Sequence, residues 1–162
     1  MPINSQISLR DYTPADFDAV HAIDQLCYTP EIAYSREDLH VYLRFPGAQC
    51  LIALDGEQII GFCITAQRGK TGYIVTIDVL AEYRRLGAGS RLLAECETRM
   101  AAHGVHVVHL ETATDNDSAV AFWQKHGYRT RSLKRGYYPG GLDAFAMTKP
   151  LEPVHRAPKV RR

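Results

Sequence analysis

The sequence predicts a mixed α/β protein, in which helices pack on the faces of a sheet. Short apolar segments alternate with polar residues or run continuously, as in strands, and other segments repeat apolar residues at helical spacing. Their order is strand, two helices, three strands, helix, strand, helix, two strands. At 162 residues, the chain has the length of one domain with a core of its own.

The first elements are a strand and two helices. Residues 3–10 alternate weakly, which is typical of an edge strand. Thr13 and the proline after it predict a helix start, and the apolar spacing continues to about Cys27. Ser35, with an acidic residue three positions later, resembles a capping box and predicts a second helix over residues 36–44.

Three strands are predicted in the middle of the chain. Residues 49–54 and 58–66 flank an Asp-Gly pair, which is typical of a hairpin turn. Residues 73–80 form the third strand. Its odd-numbered members are expected on one face: Tyr73, Val75, Ile77 and Val79.

The last part of the chain alternates helices and strands. Apolar spacing and glycines predict a helix over 90–103, a strand over 105–110, a short helix through His126, and strands over 128–133 and 144–149. The short helix is expected to begin with Asp117 or Ser118 as its cap. Residues 1–150 are thus predicted to be one domain. Residues 151–162 form a flexible basic tail, for which a nucleic-acid or ribosome contact is an alternative.

Composition excludes several functional classes. The net charge of +1 gives no general attraction to nucleic acid or membrane. No apolar run is long enough to span a bilayer, and the first residues lack a signal-peptide pattern, so a cytoplasmic protein is predicted. The four cysteines lack CxxC spacing, which predicts neither a metal site nor a disulfide framework.

The most informative run lies between the third strand of the middle group and the helix after it: Arg84-Arg85-Leu86-Gly87-Ala88-Gly89-Ser90. Glycines let backbone N–H groups approach a ligand closely, and a helix start adds unpaired N–H donors and partial positive charge. The two arginines add full charge. This combination predicts a phosphate or pyrophosphate site.

Two motifs in this order resemble the GNAT superfamily of acyl-CoA-dependent N-acyltransferases. The first is the family's (Q/R)xxGx(G/A), which reads here as Arg84, Gly87 and Gly89. The second is a Glu at a strand end, an Asn shortly after, and a short helix ending in Gly-aromatic. It reads here as Glu111, Asn116 and Gly127-Tyr128. The resemblance implies a mixed, mostly antiparallel sheet of about six to seven strands, flanked by about four helices.

A closer resemblance lies within the superfamily. Tyr137-Tyr138-Pro139, followed by residues 143–147, is similar to the C-terminal signature of the protein N-terminal acetyltransferases. The branch that acetylates ribosomal-protein alanine is particularly similar. This resemblance implies acetyl-CoA as co-substrate and a protein N-terminus as acceptor, with Tyr138 and residues 28–34 lining the peptide slot.

The resemblance also implies which residues bind acetyl-CoA. The pantetheine arm would pair with the strand at Ile77, Asp78 and Val79, as an added strand does. The pyrophosphate would rest on the backbone from Arg85 to Ser90. The full implied set is Ile77, Asp78, Val79, Arg84, Arg85, Leu86, Gly87, Ala88, Gly89, Ser90, Asn116 and Trp123. Asn116 would bond the arm, and Trp123 would pack beside it where the family usually has a Tyr.

Acyl transfer to an amine needs a base, because a protonated amine has no free electron pair. Glu111 stands at the family's position for that base, and its apolar neighbours predict partial burial. Other candidates for the base are Asp78, Asp115 and His109. Because an indole cannot act as an acid at neutral pH, Tyr137 and Tyr138 are candidates for the acid or for substrate contact.

Three functions therefore stay open at this point. The first is an acetyltransferase that acts on protein N-termini, as a monomer or homodimer and without a metal. The second is a GNAT enzyme that acts on a small amine or a lysine side chain. The third is an acyl-CoA-binding module without turnover, which the Trp at position 123 favours.

Overall fold

The structure is a computed structural model that describes residues 6–154. In that range seven strands form one sheet, with four α-helices beside it. The strands are β1 Ile7–Asp11, β2 Gln49–Asp55, β3 Gln58–Arg68, β4 Thr71–Val79, β5 Val107–Ala113, β6 Arg129–Lys134 and β7 Ala144–Pro150. The helices are α1 Phe17–Cys27, α2 Arg36–Arg44, α3 Ala88–Ala102 and α4 Asp117–Lys125. The predicted fold class and element order are confirmed.

Two predicted features fall partly outside these bounds. The first residues of the predicted edge strand, 3–5, are not among the described residues. Residues 155–162, which make up most of the predicted basic tail, also lie outside them. The tail and the domain boundary at residue 150 therefore stay predictions.

The sheet has the order β1-β2-β3-β4-β5-β7-β6. Neighbouring strands are antiparallel except β4 and β5, which run parallel. That parallel ladder joins residues 71–73 to residues 107–109 and ends there. The rest of β4 has no neighbour on its β5 side, so an unpaired backbone edge faces a gap between the two strands.

A β-bulge in β4 corrects the predicted facing of this strand. The ladder with β3 pairs Ile74 with Thr65 and Thr76 with Ile64, so Val75 is an extra residue in β4. The extra residue reverses the alternation of faces. Val75 packs on the α1–α2 side, whereas Ile77 and Val79 pack on the α3 side. The prediction that the odd-numbered residues share one face is therefore wrong.

The sheet separates two apolar clusters. On one face α3 and α4 pack through Leu92, Leu93 and Trp123 against the strands. On the other face α1 and α2 pack through Val20 and Leu39. Because helices cover both faces, the gap between β4 and β5 lies between two helical layers, and the site described below lies along this gap.

Several element bounds differ from expectation; helix α3, for example, begins at Ala88 rather than at residue 90. A short 3-10 turn, Pro14–Asp16, precedes α1. Helix α4 is capped by Asn116, whose side chain accepts the Ala119 N–H at 3.1 Å, rather than by Asp117 or Ser118. Strand β5 continues to Ala113, beyond the predicted end at residue 110. Glu111 therefore lies within the strand and is held by its pairing with β7.

Candidate active site

The loop after β4 turns the N-terminus of α3 toward the gap. Arg85 has a φ of 66°, which makes it the one non-glycine residue in the left-handed region between residues 6 and 154. Gly87, the residue before α3, has a φ of 86°. Such backbone occurs where surrounding structure or a ligand requires it. The loop is thus shaped at the predicted anion site.

The first turn of α3 offers free N–H groups there. No side chain caps this helix, since its N-cap is Gly87. The N–H groups of Ala88, Gly89 and Ser90 precede the first intrahelical bond, which Arg91 makes to the Gly87 carbonyl at 3.0 Å. Three donors and the positive end of the helix dipole therefore meet, as an anion site requires.

Side chains around this turn divide into exposed and packed groups. Arg84, Arg85 and Leu86 are exposed. Ala88 is buried, and a Cβ atom at Gly89 would lie 3.4 Å from the Phe122 ring. The turn therefore presents its backbone and two arginines to solvent, while α4 packs closely against its other side.

Another side-chain contact anchors the turn to the end of α4. The Ser90 hydroxyl lies 3.0 Å from Nε2 of His126, and burial lowers the pKa of this imidazole. A hydroxyl and a mostly neutral imidazole therefore lie beside the predicted anion site, although neither carries the charge that would bind an anion by itself.

The backbone of β4 faces the gap at Ile77 and Val79. Leu80 donates its N–H to the Ile60 carbonyl of β3 at 2.9 Å. Because successive residues of a strand face opposite neighbours, Ile77 and Val79 turn their backbone groups away from β3. The carbonyl of Ile77 instead lies 3.4 Å from the Tyr28 hydroxyl, and that of Val79 accepts from Arg84 Nε at 3.1 Å. This edge has the geometry expected for an added strand-like ligand.

Glu111 lies on the β5 side of the gap and is paired with a lysine. Its carboxylate accepts from Lys134 Nζ at 2.6 Å, and its side chain is 27% exposed, so the predicted partial burial is confirmed. The hydrogen bond to Glu111 raises the pKa of Lys134. A carboxylate with one ammonium partner and partial access to solvent can also bind the ammonium of an amine substrate.

Two adjacent tyrosines also lie on the β5 side of the gap, near Glu111 and Lys134. The rings of Tyr137 and Tyr138 meet edge to face with centroids 4.9 Å apart, and Lys134 Nζ lies 5.4 Å from the Tyr137 ring centroid. Burial, reinforced by the nearby Glu111 carboxylate, raises the pKa of Tyr137. Burial, reinforced by Tyr137 and Glu111, raises that of Tyr138 well above its ordinary value. Both phenols are therefore protonated at neutral pH.

The segment between α1 and α2 brings further tyrosines to the gap. Tyr34 donates its hydroxyl to the Val75 carbonyl at the bulge, at 3.3 Å, and its ring lies 4.9 Å from that of Tyr42. Tyr28 reaches Ile77 as described above. The Tyr137 hydroxyl contributes to the raised pKa of Tyr34, of which burial is the main cause. Residues from the two ends of the chain therefore line one aromatic opening.

The remaining predicted site residues lie in different places. Asn116 uses its side-chain oxygen to cap α4, which leaves its N–H donors for a ligand. Trp123 is 5% exposed and packs edge to face against Tyr128, with centroids 5.3 Å apart, so its indole is part of the core. Its predicted contact with the cofactor stays a prediction.

The other candidates for the base are less well placed. Asp78 is 1% exposed, with its side chain on the α1 side of β4. His109 lies in the paired part of β5, with its ring centroid 5.7 Å from that of Tyr73. Asp115 is exposed in the loop before α4. Among the carboxylates considered, Glu111 alone combines partial burial with a place beside the aromatic opening.

Sequence reasoning missed Lys134 and Asp24. Lys134 reaches Glu111 across β7, because Glu111 pairs with Ala146 and Lys134 with Ala144 on the same face. The order β5-β7-β6 would have to be known before this could be inferred. Asp24 is a carboxylate in the apolar stripe of α1, flanked by Ile23 and close to Val20. An acidic residue at a core position is a signal that could have been found.

Between residues 6 and 154, no helix has the length and hydropathy needed to cross a membrane. In the same range, no three His, Cys, Asp or Glu side chains are grouped so that they could hold a metal ion.

Comparison with known proteins identifies the family. The model of the acetyltransferase (GNAT) family matches residues 17–128. The chain belongs to this family. An N-alpha-acetyltransferase RimI from Mycobacterium tuberculosis is 33% identical over 125 residues, covering 74% of each chain. The resemblance inferred from the two motifs is therefore confirmed for this GNAT protein.

Other relatives agree with this assignment. An N-alpha-acetyltransferase from Sulfurisphaera tokodaii is 37% identical over 83 residues, 51% of this chain and 50% of that protein. The GNAT chain thus spans about half the length of that curated relative. The crystal structure of the ribosomal-protein-S18-alanine N-acetyltransferase from Escherichia coli superposes with a TM-score of 0.82 at 21% identity, covering 97% of this chain and all of that one. At that identity the superposition shows the fold alone.

Proposed function

We propose that this GNAT protein transfers an acetyl group from acetyl-CoA to the α-amine of a protein N-terminus. The observation that carries the proposal is the gap between β4 and β5. It has an anion-binding helix start at one end and a tyrosine-lined carboxylate at its side. An extended acyl donor and a primary amine would meet there.

Acetyl-CoA would be held mostly by backbone. Its pyrophosphate fits the first turn of α3, where the N–H groups of Ala88, Gly89 and Ser90 are free of helical partners. Its pantetheine arm would lie along the edge of β4 that pairs with no strand, at Ile77 and Val79, in place of the side-chain bonds that Tyr28 and Arg84 make to these carbonyl groups. The thioester supplies an activated acyl group, so this chain's residues have to position the amine and move protons.

Glu111 is proposed as the general base. A peptide α-amine arrives largely as an ammonium ion, which would exchange with Lys134 as partner of the carboxylate. Glu111 would then take the proton, directly or through water, and free the electron pair on nitrogen for attack. Its pairing with β7 and partial burial fix its position.

The proton that the leaving thiolate needs is assigned to Tyr138, with Tyr137 as the alternative. Burial keeps the pKa of Tyr138 well above its ordinary value, so the phenol carries its proton at neutral pH. As the thiolate takes that proton, the phenol would regain one from water or from the protonated Glu111, which returns both residues to their starting state. Tyr138 lies beside Tyr137 and near Glu111. Trp123, in the core, is not available for this step.

An α-amine acceptor is favoured over a lysine by the relatives and by the opening itself. Relatives from Sulfurisphaera tokodaii and Mycobacterium tuberculosis carry the name N-alpha-acetyltransferase. The opening would be lined by Tyr34, which lies near enough to Tyr137 to interact electrostatically with it, and by Tyr137 and Tyr138. Aromatic walls with hydroxyl tips suit the first residues of an extended peptide, which present both apolar groups and backbone polar groups.

The test uses matched peptides. Each carries one lysine and a small first residue, and is prepared with a free N-terminus and with a blocked N-terminus. Acetyl transfer is followed as released CoA, and the acetylated nitrogen is located by fragmentation of the product. We expect modification at the α-amine of the free peptides alone. Modification of the blocked peptides at lysine would contradict the N-terminal assignment.

A further inference from the structure

Two buried carboxylates lie behind β4, and the proposed reaction does not use them. Asp24, on α1, is 0% exposed and Asp78, on β4, is 1% exposed. The bulge at Val75 turns Asp78 and Thr76 toward α1 rather than toward α3. Burial of two like charges costs several kcal/mol per ion unless partners compensate, so this arrangement requires an explanation.

The hydrogen bonds of this pair leave one oxygen on each side chain without a partner. Asp24 accepts the Tyr34 N–H on Oδ2 at 2.7 Å, and Asp78 accepts the Thr76 hydroxyl on Oδ1 at 2.5 Å. Oδ1 of Asp24 and Oδ2 of Asp78 have no partner among the described residues. Two ionised carboxylates have four acceptor oxygens and no donor between them. A single proton on one of the two free oxygens would satisfy both.

No ion pair among the described residues offsets the charges. Between residues 6 and 154, none of the ion pairs includes Asp24 or Asp78. The titratable groups around the pair are mostly neutral acids: Cys27 and Tyr28 one helical turn after Asp24, Tyr34 in the segment that follows, Cys50 on β2 and Cys63 on β3. In the described part of the chain, the one cation near them is Arg84, which bonds the Val79 carbonyl and lies beside Cys27. Burial, and then the hydrogen bond to Asp24, raise the pKa of Asp78 well above its ordinary value.

We propose that Asp24 and Asp78 share one proton at neutral pH, and that this acid–carboxylate pair holds residues 28–35 over the open edge of β4. Asp78 carries the proton on Oδ2 and donates it to Oδ1 of Asp24. Both aspartates are positioning residues, because they act through Tyr28 and Tyr34. The positioning role rests on the proposed function, whereas the shared proton does not.

Asp24 and Asp78 lie where residues 28–35 are attached to β4. Asp24 holds the backbone N–H of Tyr34, and Asp78 is bonded through Thr76, whose hydroxyl lies 3.4 Å from that of Tyr28. The same two tyrosines reach the carbonyl groups of Val75 and Ile77. If the pair loses its proton, the two carboxylates repel each other across the contact between α1 and β4, and the segment loses its anchor.

Thermal unfolding tests the shared proton. A carboxyl group whose pKa is raised by folding contributes stability at low pH that is lost as the pH rises toward the folded-state value. Asp78→Asn keeps an N–H donor for Asp24 and has no such proton to lose. We expect its Tm to exceed that of wild type between pH 5 and 8, by a margin that widens by about 3–5 °C per pH unit until the folded-state pKa is reached.

The control is Asp18→Asn, a substitution on the exposed side of the same helix, where the side chain is 84% exposed. Its Tm difference from wild type should stay nearly constant over this range. A Tm difference for Asp78→Asn that stays constant with pH would mean that Asp78 is ionised, and would overturn the shared proton. Should Asp78→Asn not fold, Asp24→Asn is measured with the same expectation.

Steady-state kinetics test the positioning role. Asp24→Asn can still accept from Tyr34 and donate to Asp78, whereas Asp24→Ala can do neither. We expect the alanine variant to raise the peptide KM about 5–10-fold with the acetyl-CoA KM nearly unchanged, and the asparagine variant to restore the wild-type value. Should Asp24→Ala not fold, Asp24→Thr is measured with the same expectation.

Equal increases in both KM values, or no increase in either, would overturn the positioning role. A wild-type protein that transfers acetyl to no peptide would overturn the proposed function and the positioning role together. The Tm measurements need no substrate, so they test whether Asp24 and Asp78 share a proton even if no peptide is acetylated.

Discussion

The two sides of the site are built in different ways. The proposed donor side, residues 77–90, is one continuous stretch of chain that offers mainly backbone N–H and carbonyl groups to the gap. The acceptor side consists of side chains from β5, β6, the segment after α1 and the loop after β6. A backbone site depends on conformation and tolerates many side chains, whereas a side-chain site depends on each residue and on the contacts that hold it. Substitutions on the two sides should therefore act on different kinetic constants.

The largest effect is expected on the acceptor side. Glu111→Gln keeps the size of the side chain and removes its capacity to take a proton, so we expect kcat to fall about 100-fold or more. The acetyl-CoA KM should stay nearly unchanged. The matched control is Glu95→Gln, another ion-paired carboxylate, 3.1 Å from Arg99 and away from the gap. Equal activity of Glu111→Gln and wild type would remove Glu111 from the mechanism.

A smaller effect concerns the support of the acceptor side. Arg10 donates two hydrogen bonds to Asp16, just before α1, and lowers the pKa of this carboxyl to about 2. A lowered pKa adds stability that is present above the unfolded-state value near 4 and is lost as the pH falls through about 2. Asp16→Asn should therefore cost about 2 kcal/mol of unfolding free energy at pH 7.

Urea unfolding at pH 7 and near pH 2 measures this difference. The loss of unfolding free energy in Asp16→Asn should be smaller near pH 2 than at pH 7. An equal loss of unfolding free energy at both pH values would show that the Asp16 side chain stabilises the start of α1 without its charge.

On the donor side, backbone conformation is the target. Gly87→Ala places a side chain at a φ of 86°, where L-residues are strained. We expect the acetyl-CoA KM to rise about 10-fold as the turn relaxes, with the peptide KM much less affected. Gly104→Ala is the matched control, because Gly104 has a φ of 87° and a Cβ there also meets nothing within 4 Å.

Both glycine variants should lose about 1 kcal/mol of stability. Only the variant at position 87 should change the acetyl-CoA KM. If Gly87→Ala and Gly104→Ala lose equal stability and Gly87→Ala leaves the acetyl-CoA KM unchanged, the turn at Gly87 does not bind acetyl-CoA.

The smallest effect is expected at a single hydroxyl. Tyr34→Phe removes the bond to the Val75 carbonyl and should raise the peptide KM about 3-fold, since one such bond contributes about 0.5–1.5 kcal/mol. Tyr83→Phe loses a hydrogen bond of 2.7 Å to Asp55, away from the acceptor side, and should leave the peptide KM unchanged. A larger change in the acetyl-CoA KM than in the peptide KM for Tyr34→Phe would assign Tyr34 to the donor side.

The same contrast explains what the sequence could predict. The proposed donor side can be inferred from the sequence because glycines, arginines and a helix start follow one another in the chain, so local rules apply. The ion pair of Glu111 with Lys134 could not be predicted, because it depends on β7 lying between β5 and β6 in the sheet. The facing of β4 was predicted wrongly, because the bulge at Val75 leaves no local pattern in the sequence. Trp123 was expected beside the donor, and burial in the core is the packing that its size favours.

Hydrogen–deuterium exchange tests the two-sided site most directly. Exchange is mapped for the free protein, with a non-hydrolysable acetyl-CoA analogue, and with the analogue together with a free N-terminal peptide. We expect the analogue alone to slow exchange in residues 75–90, and the peptide then to slow exchange in residues 28–35 and 134–138. Protection of residues 134–138 by the analogue alone, with residues 75–90 unchanged, would contradict the two-sided site.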